Sequence, residues 1–284
     1  MRELRQSRLV ANGVGLAVFE WPGESTAPAV LLAHATGFHA RCWDQVVALL
    51  PGRRCVASDM RGHGRSDKPP PPYDWHLFGD DLAAIAREFG LRGAIGVGHS
   101  QGGHALTRAA ARLPGAFSAL LLIDPVIFPR EHYNEPPAPQ EHFAARRRNA
   151  WASADEMFAR FRGRPPFDAW DPAVLRDYCD YGLLPAPSGE GFVLACPPEI
   201  EAATYAGNSG TDVHDDIAAL EIPVRVLRAQ QRSEAEPGDM RGSPTPPQLA
   251  VWFRHGTDVY LPEQSHLMPM ENPALIARHI LELG

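Results

Sequence analysis

Apolar and polar positions along the chain fall into two recurring textures. The runs A-V-L-L-A at 29–33 and A-L-L-L-I at 119–123 are continuously apolar, as strands covered on both faces are. Shorter runs at 55–58, 94–97 and 222–227 predict further strands. Between them, 43–50, a stretch from His76 through Phe89, and 101–112 carry apolar residues at helical spacing. Residues 8–11 and 16–21 flank Asn12-Gly13, a dipeptide suited to a tight hairpin. Late in the chain the pattern predicts a helix near 248–253 and a strand at 258–261. A last helix opens at Asn272-Pro273 and runs to about Leu283.

This rhythm stops between residues 128 and 216, where Pro, Arg and aromatic residues accumulate around helical patches. Ser153-Ala154-Asp155-Glu156 has the form of a capping box, and Asp171-Pro172 places a cap before a first-turn proline. The predicted organisation is therefore a core of residues 1–127 and 217–284, interrupted by a helical cap insertion at 128–216. Alternating strands and helices with apolar strands imply an α/β fold, a mostly parallel sheet with helices on both faces. In such sheets a ligand crevice lies at the carboxyl ends of the strands.

Charge and cysteine content narrow the chemistry. A net charge of −7 over 284 residues argues against a nucleic-acid surface. The four cysteines, Cys42, Cys55, Cys179 and Cys196, form no Cys-x-x-Cys pair and read as buried or semi-buried free thiols. No histidine pair has H-x-H or H-E-x-x-H spacing, so no metal is expected. No phosphate-binding G-x-x-x-x-G-K-[ST] loop occurs, since Lys68 is the only lysine. No signal peptide and no apolar run of membrane-spanning length is present, which makes the cytoplasm the expected compartment.

The chemically richest segment is Gly98-His99-Ser100-Gln101-Gly102, set between an apolar strand and a helix. A nucleophilic serine on such a turn points out of the sheet, and flanking glycines keep side chains off the neighbouring backbone. Ser100 is the candidate nucleophile. The Gln101 N–H, at the helix start, is a candidate donor to the oxyanion that acyl transfer creates. The loop His34-Ala35-Thr36-Gly37-Phe38 follows an apolar strand, and the Thr36 N–H is the second candidate donor. Of twelve histidines, His266 lies in a loop after the last strand and before the last helix, the place of a general base following serine and acid in chain order.

Together with Asp59-Met60-Arg61-Gly62-His63-Gly64-Arg65-Ser66 and the S-H-L-M-P-M-E-N-P run from Ser265, these motifs resemble the α/β-hydrolase family, in its capped serine-hydrolase branch. The resemblance covers essentially the whole chain. It implies a cofactor-independent hydrolase of carboxylic esters or related acyl compounds, with a Ser-His-acid triad and a structural role for the 59–66 loop. A C–C bond hydrolase, a lyase and a receptor-like ligand-binding protein are the alternatives. One departure stands out. The family acid usually lies shortly after the strand seen here at 222–227, but Arg228-Ala229-Gln230-Gln231-Arg232-Ser233 has no carboxylate. Asp124, at the end of the 119–123 strand, is the leading candidate, with Glu234, Glu236 and Asp239 as alternatives. Aromatic residues of the insertion, such as Trp151, Trp170 and Tyr178, imply a small-molecule substrate with an apolar or aromatic portion. The run Arg146-Arg147-Arg148 is read as a solvated helix face, with a carboxylate-binding role as the alternative.

Overall fold

A computed structural model describes residues 3–133, 142–232, 239 and 241–284. In chain order the strands are β1 (Arg5–Ala11), β2 (Val14–Trp21), β3 (Val30–Ala33), β4 (Cys55–Ser58), β5 (Ala94–His99) and β6 (Phe117–Ile123). They continue with β7 (Ala150–Trp151), β8 (Leu183–Pro185), β9 (Phe192–Leu194), β10 (Val224–Arg228) and β11 (Gly256–Tyr260). The α-helices begin with α1 (Asp44–Ala48), α2 (Trp75–Glu88), α3 (Gln101–Arg112), α4 (Ala154–Phe161) and α5 (Pro172–Tyr181). They end with α6 (Pro198–Ala206), α7 (His214–Ala218), α8 (Leu249–Trp252), α9 (Met268–Glu271) and α10 (Pro273–Leu281).

Eight strands form one sheet in the order β1-β2-β4-β3-β5-β6-β10-β11. The entry hairpin is antiparallel, β2 pairs antiparallel with β4, and the remaining pairs are parallel. The apolar runs are continuous because both faces are covered. Leu31, Leu120 and Leu122 pack with Phe78, Leu82 and Leu106 of α2 and α3. Val30, Leu32, Leu121 and Ile123 point the other way, toward Trp43, Val46, Ile276 and Ile280. Successive residues of one strand thus serve opposite layers, as the two-residue period requires.

The chain between β6 and β10 carries α4, α5, α6 and α7, and the expected caps form. The Ser153 hydroxyl accepts from the Glu156 N–H, and the Asp171 carboxylate from the Ala173 and Val174 N–H groups. In addition β7, β9 and β8 make a small antiparallel sheet, which the pattern of apolar positions does not predict. Strands of two or three residues are too short to show a period. Trp151, Met157, Trp170 and Tyr178 of this segment pack with Cys42, Leu267 and Met270, so the insertion docks on the loops beyond β3 and β11. All four cysteines are buried free thiols. Among the described residues no helix is long and apolar enough to cross a membrane.

Candidate active site

Ser100 follows β5 directly and precedes the first residue of α3. Its backbone adopts φ 56° and ψ −118°, a conformation that costs a non-glycine residue strain and persists only where the surroundings enforce it. Close packing around the turn supplies that enforcement. A Cβ at Gly98 would come within 2.4 Å of the Gly102 carbonyl oxygen, and one at Gly102 within 2.3 Å of the Ala33 oxygen. The two glycines let strand, turn and helix approach to distances that any side chain would prevent.

The Ser100 Oγ lies 3.2 Å from His266 Nε2, and His266 Nδ1 lies 2.7 Å from Asp124 Oδ2. All three residues are buried, although Ser100 and Asp124 are 24 positions apart in sequence and His266 another 142 beyond. Asp124 also has a positive φ, 45°. Its Oδ1 accepts from the Ala229 N–H at 3.1 Å and the Ser243 hydroxyl at 2.5 Å. Burial by itself would raise the Asp124 carboxyl. The hydrogen bonds from His266, Ser243 and Ala229 outweigh it and hold the group below the ordinary aspartate value.

Of the alternatives to Asp124, Asp239 is committed elsewhere. It accepts from the Arg241 guanidinium at 3.0 Å and from the Arg241 N–H. Glu234 and Glu236 lie outside the described residues. The missing carboxylate after β10 has a structural counterpart. Ala229, in the loop after β10, presents an N–H to Asp124, so that loop contributes a donor where an acid was sought.

The loop after β3 sorts its amides. The Gly37 N–H donates to His63 Nε2 and the Phe38 N–H to the Ala35 carbonyl, which leaves the Thr36 N–H without a partner among the described residues. Gln101 opens α3, where helix geometry provides no intrahelical acceptor for its N–H. The Thr36 hydroxyl donates to Gln101 Oε1 at 3.1 Å and ties the two segments together.

Several buried histidines support the site. His99, buried and pushed by burial to about 3, bonds through Nε2 to the His266 carbonyl at 2.8 Å. His34 Nε2 accepts from the Met60 N–H, and His63, the acceptor for Gly37, is pushed to about 4 by burial. Both neutral rings buttress the Thr36 loop. Their spacing in H-A-T-G-F and R-G-H-G was visible, but not that one would hold the other's loop. Arg61 pairs with buried Asp81 at 2.7 Å.

Beside Thr36 and Leu267 opens a cavity of about 430 Å³. Its walls are largely aromatic, with Phe38, Phe161, Phe167, Trp170 and Tyr178 packed ring against ring. Arg147 also lines it, so the Arg146–Arg148 run is not a helix face. Phe143–Arg146 is a single 3₁₀ turn, after which the Arg147 guanidinium bonds to Glu201 and to the Tyr178 hydroxyl. Among the described residues no group of three or more His, Cys, Asp or Glu could hold a metal ion.

A model of the alpha/beta hydrolase family matches residues 30–279. A bifunctional esterase/perhydrolase of Acinetobacter calcoaceticus is 26% identical over 282 residues, covering 95% of this chain and 96% of the relative. A non-heme chloroperoxidase of Streptomyces lividans is 29% identical over 223 residues, 76% of this chain and 78% of the relative. The solved structure of E-2-(acetamidomethylene)succinate hydrolase superposes with a TM-score of 0.77 at 22% identity, covering 99% of each chain.

Proposed function

Because the chain belongs to the alpha/beta hydrolase family, we propose that it cleaves carboxylic esters or related acyl compounds through Ser100, His266 and Asp124. The observation that carries this reading is the hydrogen-bonded series from Ser100 Oγ to His266 Nε2 and from His266 Nδ1 to Asp124. Each link has a chemical task. With Nδ1–H donated to an ionised Asp124, the imidazole keeps Nε2 free to accept the Ser100 proton as Oγ attacks the carbonyl carbon. The carbonyl oxygen becomes an oxyanion, received by the Thr36 and Gln101 N–H groups. As the tetrahedral intermediate collapses, imidazolium returns the proton to the leaving alcohol, and Ser100 holds the acyl group. Water then enters, gives its proton to Nε2, and releases the acid.

The insertion at 128–216 acts in this reading as a cap over the strand ends. Its aromatic wall favours a substrate with an apolar or aromatic portion, and no bound cofactor takes part in the chemistry. Two of the relatives' names agree with acyl chemistry of this kind, an esterase/perhydrolase and an (acetamidomethylene)succinate hydrolase, while the chloroperoxidase carries a different one. The test is turnover of aryl esters by wild type and Ser100→Ala. Release of phenol by wild type and loss of at least about 10³-fold in the variant supports the proposal. Equal rates in the two proteins overturn it.

A further inference from the structure

The charges around the aromatic cavity are lopsided. Arg147, Arg148, Arg160 and Arg164 line it, against Glu201 as its one carboxylate among the described residues. This occurs in a chain whose net charge is −7. Two of the four cations are already matched. Arg147 is paired with Glu201, which is itself buried, and Arg148 donates to Glu156 at 2.6 Å. Arg160, on the last turn of α4 and close enough to lower the Glu156 carboxyl, and Arg164, three residues past the end of that helix, are exposed and make no ion pair within 4 Å among the described residues. The cavity is thus bounded by Thr36 and Leu267, which neighbours His266 in sequence, by the aromatic rings, and by the exposed Arg160 and Arg164, which have no lining carboxylate to pair with; Ser100 and His266 themselves are not among its lining residues.

From this distribution we infer that the substrate is an anion: an ester or related acyl compound with an aromatic or apolar body. Its carboxylate lies remote from the scissile carbonyl and is held by Arg160 and Arg164. The inference rests on the acyl-transfer reading of the same site and adds the substrate's charge and its orientation. A cavity of about 430 Å³ falls at the small end of ordinary ligand sites, room for one substituted aromatic ring and a short acyl group. Cations at the wall raise the local concentration of an anionic substrate and orient its charged end away from the oxyanion donors. Glu201 does not cancel this, because Arg147 neutralises it.

The experiment compares 4-acetoxybenzoate with 4-acetoxybenzamide, which share scissile bond and size and differ in the remote charge. Wild type is expected to hydrolyse the carboxylate with kcat/KM about tenfold above the amide, an advantage that shrinks as salt rises. In Arg160→Gln/Arg164→Gln the ratio should fall by up to about tenfold, the sum of two exposed charge contacts. A second measurement separates this inference from the hydrolase reading. Calorimetric binding of 4-hydroxybenzoate and 4-hydroxybenzamide to wild type and the double variant needs no turnover. Tighter binding of the carboxylate, lost in the double variant, supports the cationic subsite even if Ser100 proves unreactive. Equal affinities, no binding of either, or a preference that survives in the double variant overturns it.

Discussion

Replacing Asp124 by Asn exchanges one carboxylate oxygen for an NH2 group, and the surrounding donors dictate which one. Oδ1 accepts from the Ala229 N–H and the Ser243 hydroxyl, while Oδ2 faces His266 Nδ1. In Asp124→Asn the amide oxygen must take the Oδ1 position, because an NH2 there would confront the Ala229 N–H donor to donor. The NH2 then occupies the Oδ2 position and donates to His266 Nδ1. That ring nitrogen can accept only if the proton moves to Nε2, the nitrogen 3.2 Å from the Ser100 hydroxyl. A protonated Nε2 cannot take the serine proton. The loss of turnover should approach 10⁴-fold, as for other tautomer-reversing substitutions, or about 5.5 kcal/mol of barrier.

The fold should tolerate the change, since the amide oxygen retains both Oδ1 partners and the buried site loses a charge, not a shape. Initial rates of 4-nitrophenyl acetate hydrolysis, with thermal unfolding as the folding control, measure both effects. Asp239→Asn, at a carboxylate held by Arg241, provides the comparison and should cost less than about tenfold. Asp124→Asn within tenfold of wild type, from a protein of unchanged melting temperature, would refute the argument.

Burial and close packing set two other expected outcomes. Burial lowers His39, His99 and His104 to about 3, His63 to about 4, and His34 well below the ordinary histidine value. Since the unfolded chain protonates these rings first, stability is intact above about pH 6.5 and is lost as pH falls toward the folded values, by about 1 kcal/mol per ring at pH 5.5. Urea midpoints at pH 7.5, 6.5 and 5.5 should drop steeply at the lowest pH; a flat series contradicts the assignment. Gly102→Ala would press a methyl within 2.3 Å of the Ala33 carbonyl oxygen. It should cost roughly 1–3 kcal/mol of stability and displace the Thr36 loop, lowering kcat/KM more than tenfold; unchanged kinetics would show that the loop position does not matter.

The central strands of the sheet were readable because they obey one simple rule, which the exposed edge strands β1 and β11 do not follow. Runs such as 29–33 and 119–123 are apolar throughout, and the structure buries Val30 and Leu31 on opposite faces. Ser100 was readable for a steric reason, since only glycine fits at positions 98 and 102. Asp124 could be proposed from its place at a strand end, but its partners, Ser243 and the Ala229 N–H, carry no motif. Ser243 is 119 residues away in sequence from the carboxylate it serves. The insertion was the least legible part. Its strands span two or three residues, and the turn that directs Arg147 inward is one 3₁₀ turn, too short for any periodicity to register. A run of three arginines has the composition of a solvated face. The buried Glu201 and the Tyr178 hydroxyl, 54 and 31 positions away in sequence, draw Arg147 inward.

The central claim is that Ser100 is a nucleophile activated by its neighbours, and covalent labelling tests it most directly. A fluorophosphonate reacts with a serine hydroxyl only where a base accepts its proton and donors receive the phosphoryl oxygen. Wild-type protein incubated with the reagent should gain one adduct, located by peptide mass spectrometry on Ser100. Labelling should vanish in Ser100→Ala and slow markedly in Asp124→Asn. An adduct on another residue, or ester turnover that continues with Ser100 unlabelled, would contradict the account.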